Sequence, residues 1–165
     1  MEKHSHPMVG IGVIIIRRDN RKVLMGKRIC EHGFGNHAFP GGHLEMYESF
    51  EDCAIREVKE ECGIDVSAGA PRVWKTVNTL YREEGKHYVG IFVIVDWYPE
   101  MGEPINMEPE KCAGWRWYDW DNMPMPQMPC NNDIHTYGWI PYEAIKVQPM
   151  GHPNHPNRRL GLYPG

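Results

Sequence analysis

Residues 9–16 form an unbroken run of apolar and glycine positions rich in valine and isoleucine, the pattern of a strand buried on both faces. Asp19 and Asn20 mark a turn, and residues 22–28 return as a second strand. Residues 29–36, which hold Gly33 and Gly35, read as a loop, and the short Ala38-Phe39 segment leads through Pro40 into a Gly41-Gly42 turn. Two further strands are expected over 73–81 and 88–97, joined by a polar turn over 82–86, and residues 115–118 alternate as one more. Between these strand groups Phe50, Ala54 and Val58 recur every four residues and predict a helix over 50–62 with those three as its core-facing stripe. Ser49 stands where an N-cap belongs, Glu51 and Asp52 complement the helix dipole, and Gly63 offers a left-handed stop. A weaker helix is expected over 139–147. Strands flanking a central helix with another helix behind predict an α+β sandwich. Residues 1–147 read as one domain, the Met/Pro-rich stretch 123–129 as a loop, and the Pro/Gly/His-rich residues 148–165 as an extended, solvated tail.

Length and composition agree with this division. A chain of 165 residues, 41% hydrophobic and with six tryptophans, can build one proper core. Its net charge of −4 argues against a nonspecific nucleic-acid binder, which needs a basic patch, but not against a local basic grip on phosphate. Cys30, Cys53, Cys62, Cys112 and Cys130 are odd in number and form no CxxC pair, so we expect reduced thiols, a cytoplasmic setting, and neither a disulfide framework nor structural zinc. No apolar run approaches 18 residues, so no membrane span is expected.

The expected helix carries the chemistry. At about 100° per residue, Glu57, Glu60 and Glu61 fall within an arc of about 100° that overlaps the edge of the apolar stripe. Three like charges at this spacing repel, and burying them beside an apolar face raises the cost. A hard cation such as Mg²⁺ resolves the conflict, because it takes oxygen ligands and leaves room for water and substrate phosphates. The competing reading is a charged surface helix with Arg56 and Lys59 as counter-ions. The Gly41-Gly42 entry, Glu48, Arg56 and the Gly63 stop favour metal.

The spacing from Gly42 through Glu48 to Arg56-Glu57-Val58-Lys59-Glu60-Glu61-Cys62-Gly63-Ile64 resembles the signature of the Nudix hydrolases, with every defining position filled. Outside it, Met25-Gly26-Lys27-Arg28, Phe39-Pro40-Gly41-Gly42-His43-Leu44-Glu45, Lys86-His87-Tyr88-Val89, Met107-Glu108-Pro109-Glu110-Lys111 and Trp115-Arg116-Trp117-Tyr118-Asp119-Trp120 are similar to the MutT-related nucleotide diphosphatases of eukaryotes, the plant Nudix 1 and human Nudix 15 kind. The resemblance implies an αβα sandwich around a mixed sheet and hydrolysis of a nucleoside diphosphate linked to a further group, X, with Mg²⁺ as cofactor or Mn²⁺ in its place. It places metal on Glu57, Glu60, Glu61 and the Gly41 carbonyl, with Glu48 binding a second ion or holding Arg56, which would orient a carboxylate. Glu60 is the first choice of general base and Glu110 its rival. Arg28 is the candidate phosphate clamp, since a guanidinium fork suits phosphate oxygens. Trp115, Trp117, Trp120, Tyr137 and Trp139 are candidates for stacking a base, although aromatics at alternate strand positions are more often core. His37 stands where a bulky apolar or aromatic side chain is expected and Gly90 where a larger residue is common, and both would reshape the pocket.

Three functions compete. The first is a diphosphatase of free (d)NTPs, oxidised ones included, which releases pyrophosphate. The second is a hydrolase of capped mRNA or dinucleoside polyphosphates, and the third a catalytically idle Nudix binding module, which would be expected to have lost a metal glutamate. Close relatives are often dimers, so a homodimer stays open.

Overall fold

The structure, a computed structural model, describes residues 6–141. The expected tail over 148–165 and residues 142–147 of the expected last helix lie outside the described residues; Trp139 and Ile140 are not helical.

Seven strands form one mixed sheet. They are β1 (Met8–Arg17), β2 (Val23–Arg28), β3 (His37–Ala38), β4 (Gly41–His43), β5 (Arg72–Tyr81), β6 (Lys86–Trp97) and β7 (Cys112–Tyr118). β1 lies at the centre, parallel to β6 from Met8 opposite Tyr88 to Arg17 opposite Trp97, and β5 closes that side antiparallel to β6. The other edge of β1 is divided. Gly10, Ile11 and Gly12 pair with β4, whereas Ile16 pairs with Val23 of β2. The Gly-Gly segment expected as a turn is therefore a strand. Its neighbours force this: Val13 donates to the Pro40 carbonyl at 2.8 Å and Leu44 to the Val9 carbonyl at 3.2 Å, which satisfies backbone that a turn would leave open.

Strand alternation sorts the core into two layers. Ile11, Val13 and Ile15 of β1 and Ile91, Val93 and Val95 of β6 pack with α1 (Phe50–Cys62) through Cys53, Ala54, Val58 and Cys62. On the opposite face Ile14, Ile16, Phe92 and Ile94 pack with Trp120 and Met123, which precede a second helix, α2 (Pro129–Thr136), and with Ile134 of that helix. The result is the αβα sandwich. Phe50 is a correction: it is 36% exposed, and Cys53 and Cys62 complete the stripe instead. The helix ends are as the residues dictate. The Ser49 hydroxyl accepts from the Asp52 N–H at 3.0 Å, and Gly63 adopts φ 70° while donating to the Lys59 carbonyl. All five cysteines are free, and among the described residues no helix is long and apolar enough to cross a membrane.

Candidate active site

The β4 strand and α1 bring the acidic cluster together. Arg56 lies at its centre, donating to Glu48 Oε1 at 2.8 Å and Oε2 at 3.0 Å, to Glu57 Oε1 at 2.7 Å and to the His43 carbonyl at 3.1 Å. Glu60, more exposed, stands 3.5 Å from the same guanidinium. Gly42 has a specific reason to lack a side chain, since a Cβ there would fall 2.3 Å from Glu57 Oε1. Gly41, at φ 149°, donates its N–H to Glu61 Oε2 at 2.9 Å, and a Cβ there would strike the Ile11 carbonyl oxygen at 2.0 Å.

Environment splits the carboxylates. The Arg56 hydrogen bonds hold Glu48 down at about 2. Burial pushes Glu57 above the ordinary carboxylate range, against the pull of Arg56 and aided by Glu60 and Glu108. Glu61 rises to about 7, chiefly through burial, with Glu57 and Glu108 adding to the effect and the Gly41 N–H opposing it. Among the described residues no three acidic, His or Cys groups already converge on one point, because Glu57 is turned to Arg56 and Glu61 to Gly41. The donor set still fits a hard divalent cation: carboxylate oxygens gathered at a protein surface, two of them raised by burial and mutual repulsion.

Beside this cluster lies a cavity of about 490 Å³. It begins at Gly41, Gly42 and Glu61 and extends along the sheet face opposite the α1 core, where Gly10 leaves room for Tyr88 and Gly12 for Phe92, with Tyr81 and Gly90 also in the lining. Arg28 and Lys111 are its cationic lining residues. Arg28 Nε donates to the His32 carbonyl at 2.8 Å and Nη2 to Cys30 Sγ at 3.1 Å, which fixes the guanidinium in the wall. Trp115 also lines the cavity, and its Nε1 donates to the Glu61 carbonyl at 3.1 Å.

Not every expected residue arrives here. His37 lies outside the lining, its Nδ1 3.1 Å from the Pro126 carbonyl and its ring edge-on to Tyr118. Tyr137 is 65% exposed and stacks on Trp139, away from the cavity. Trp120 is core, and Trp117 packs with Trp97 and Arg17 on the α1 side. Glu110 is exposed, whereas Glu108 is three-quarters covered, pairs with Lys111 at 2.8 Å and acts on Glu57 and Glu61. Sequence reasoning also missed Tyr81, Tyr88, Phe92 and His32. The first three sit on predicted strands, and their alternation with the α1-facing positions was the available signal.

Residues 6–129 match the NUDIX domain model, and the chain belongs to that family. It is similar to a MutT NUDIX hydrolase of Burkholderia pseudomallei, with a TM-score of 0.71 and 26% identity over 78% of this chain and 95% of the other. It is 36% identical over 97 residues to the ADP-ribose pyrophosphatase of Methanocaldococcus jannaschii, covering 56% of this chain and 53% of that one. It is 40% identical over 55 residues to the 8-oxo-dGTP diphosphatase of Escherichia coli, covering 33% and 43%. The chain thus spans about half the length of these two curated relatives.

Proposed function

We propose that the protein is a Nudix pyrophosphohydrolase that cleaves a nucleoside diphosphate-X substrate, foremost a (d)NTP or oxidised (d)NTP, to the monophosphate and pyrophosphate. One observation carries this reading: Glu61 belongs both to the acidic cluster on α1 and to the lining of an open cavity with aromatic walls, sized for one nucleotide head group. In this reading Glu57, Glu60, Glu61 and the Gly41 carbonyl hold Mg²⁺ or Mn²⁺, and Glu48 either joins them or restrains Arg56. A cation bound there would neutralise phosphate oxygens and acidify a water. Glu60, the most exposed of the three helix carboxylates, takes the proton of the attacking water, with a loop glutamate as the rival. For that rival role Glu108 is better situated than Glu110, the residue expected from the sequence. Arg56 keeps Glu57 in place, and Arg28 grips phosphate. Attack falls on the phosphorus nearer the nucleoside. The five free thiols suit a cytoplasmic setting.

A second reading, hydrolysis of capped RNA or dinucleoside polyphosphates, draws on Gly90, a lining position that carries no side chain where a larger residue was expected. Incubation with Mg²⁺ and a panel of (d)NTPs, 8-oxo-dGTP, Ap₄A, geranyl diphosphate and capped RNA, with products read by mass, tests both. The first reading expects kcat/KM to fall when the terminal phosphate carries a second nucleotide. A substrate whose remote half adds binding energy in the transition state would reverse that order. Faster turnover of capped RNA than of any (d)NTP would replace the first reading with the second.

A further inference from the structure

The loop over 29–36 is pinned more firmly than a connecting segment requires. Arg28 Nε donates to the His32 carbonyl at 2.8 Å, and the Gly35 N–H returns to the Arg28 carbonyl at 2.9 Å. The side chain of His32 is fixed as well. Its Nδ1 lies 2.6 Å from Glu84 Oε2, on the turn between β5 and β6, and Lys86 reaches the same oxygen at 3.1 Å. Its ring stacks on Tyr88 with centroids 6.0 Å apart and meets Tyr81 edge-on at 5.2 Å. His32, Tyr81 and Tyr88 all line the cavity, whereas Glu84 and Lys86 do not.

That division orients the imidazole. Burial of Glu84 works against ionisation, but the hydrogen bonds from His32 and Lys86 prevail and hold its carboxyl below the ordinary range. An ionised carboxylate only accepts, so it places a proton on His32 Nδ1. In the neutral ring Nε2 is then an acceptor, and among the described residues it has no partner.

From this geometry we propose that His32 is a specificity-determining residue, whose Nε2 accepts a hydrogen bond from an exocyclic amino group of the planar base seated in the cavity. Glu84 is its positioning residue, acting through Nδ1 from outside the cavity. The inference rests on the nucleotide reading above and adds what part of the nucleotide is read.

The test is binding, by calorimetry, of matched nucleoside monophosphates that differ by one amino group: GMP against IMP, and AMP against purine riboside monophosphate, with ribose 5-phosphate as the base-free control. The wild type is expected to favour the amino-bearing member of at least one pair by about fivefold or more, the worth of one net hydrogen bond. His32→Phe keeps a ring against Tyr88 and is expected to erase that preference. Glu84→Ala should do the same, and Glu84→Gln, which still accepts from Nδ1, should restore it. Affinity for ribose 5-phosphate should stay unchanged throughout. A preference that persists in His32→Phe, or no preference in the wild type for either pair, overturns the role of His32. Equal weakening of ribose 5-phosphate overturns it too, since the effect would then run through Arg28 and phosphate. A wild type that binds no nucleoside monophosphate at all overturns the nucleotide reading along with it.

Discussion

Arg56 and Glu57, adjacent in sequence, are joined side chain to side chain at 2.7 Å, while the same guanidinium forks onto Glu48. Neighbouring residues on a helix point about 100° apart, so this bond forms because the arginine bends across the face towards β4. It holds a half-buried carboxylate in one orientation before any cation arrives.

Glu57→Gln should therefore keep the fold while lowering hydrolysis by about 10²–10³-fold, the scale of losing one preorganised charge at a reacting phosphate. Circular dichroism with steady-state kinetics checks this. Near-wild-type turnover would remove Glu57 from the metal site. Arg56→Lys should lose about 10–100-fold despite keeping its charge, because an ammonium cannot fork onto two carboxylates.

Gly42→Ala is expected to displace Glu57, since the added carbon would sit 2.3 Å from Oε1. Affinity for Mg²⁺, measured by titration calorimetry, should fall together with activity, and thermal stability should change little. Unaltered Mg²⁺ affinity would mean that the carboxylate can occupy another position at no cost.

Arg28→Ala should raise KM for every phosphorylated substrate alike, because the guanidinium reads phosphate and not base. Loss confined to one base would show that its bond to the His32 carbonyl is its main contribution.

The acidic cluster also makes stability depend on pH in two opposed ways. Glu61 is raised to about 7, so its contribution is complete below its unfolded value near 4.5 and is lost as pH rises through 7. In metal-free protein Glu61→Gln should therefore raise Tm at pH 8, by at most about 3 kcal/mol of stability, and leave it unchanged at pH 4. Glu48, held at about 2, acts the other way: its contribution is present above about 4.5 and lost as pH falls through 2. Glu48→Gln should thus lower Tm at pH 7 and converge with wild type near pH 2. Melting curves across pH decide both, and a Tm of Glu61→Gln that stays below wild type at pH 8 would contradict the first.

The local parts of this architecture were legible in the chain. Ser49, Gly63 and the acidic positions of α1 depend on residues a few steps away, and the structure puts the helix at 50–62 as expected. What failed was context. Gly41-Gly42 has turn composition, yet it pairs with β1, some thirty residues distant. α2 went unseen because it offers only Ile134 and Asn131 as buried residues, too few to set a period. The cavity wall was legible only in part: Arg28, Trp115 and Gly90 stood out by type, whereas Tyr81, Tyr88 and His32 join Arg28 only once β6 lies parallel to β1 and the loop over 29–36 folds back. His37 and Tyr137 were plausible by type and misplaced by topology.

The glycines lining the cavity carry a consequence for how such a protein can change. Gly10 and Gly12 of β1 stand beside Tyr88 and Phe92 of the wall, whereas of α1 only Glu61 reaches the lining, so the shape of the chamber and the chemistry of the helix are encoded largely on different surfaces. One added methyl can alter what enters without disturbing the carboxylates. The positions are not equally permissive: at Gly12 a Cβ would press on Phe92 at 2.8 Å, whereas at Gly10 its nearest neighbour is Tyr88 at an ordinary 3.5 Å. A lineage could retune its diet at Gly10 by a single codon and keep the same hydrolytic engine.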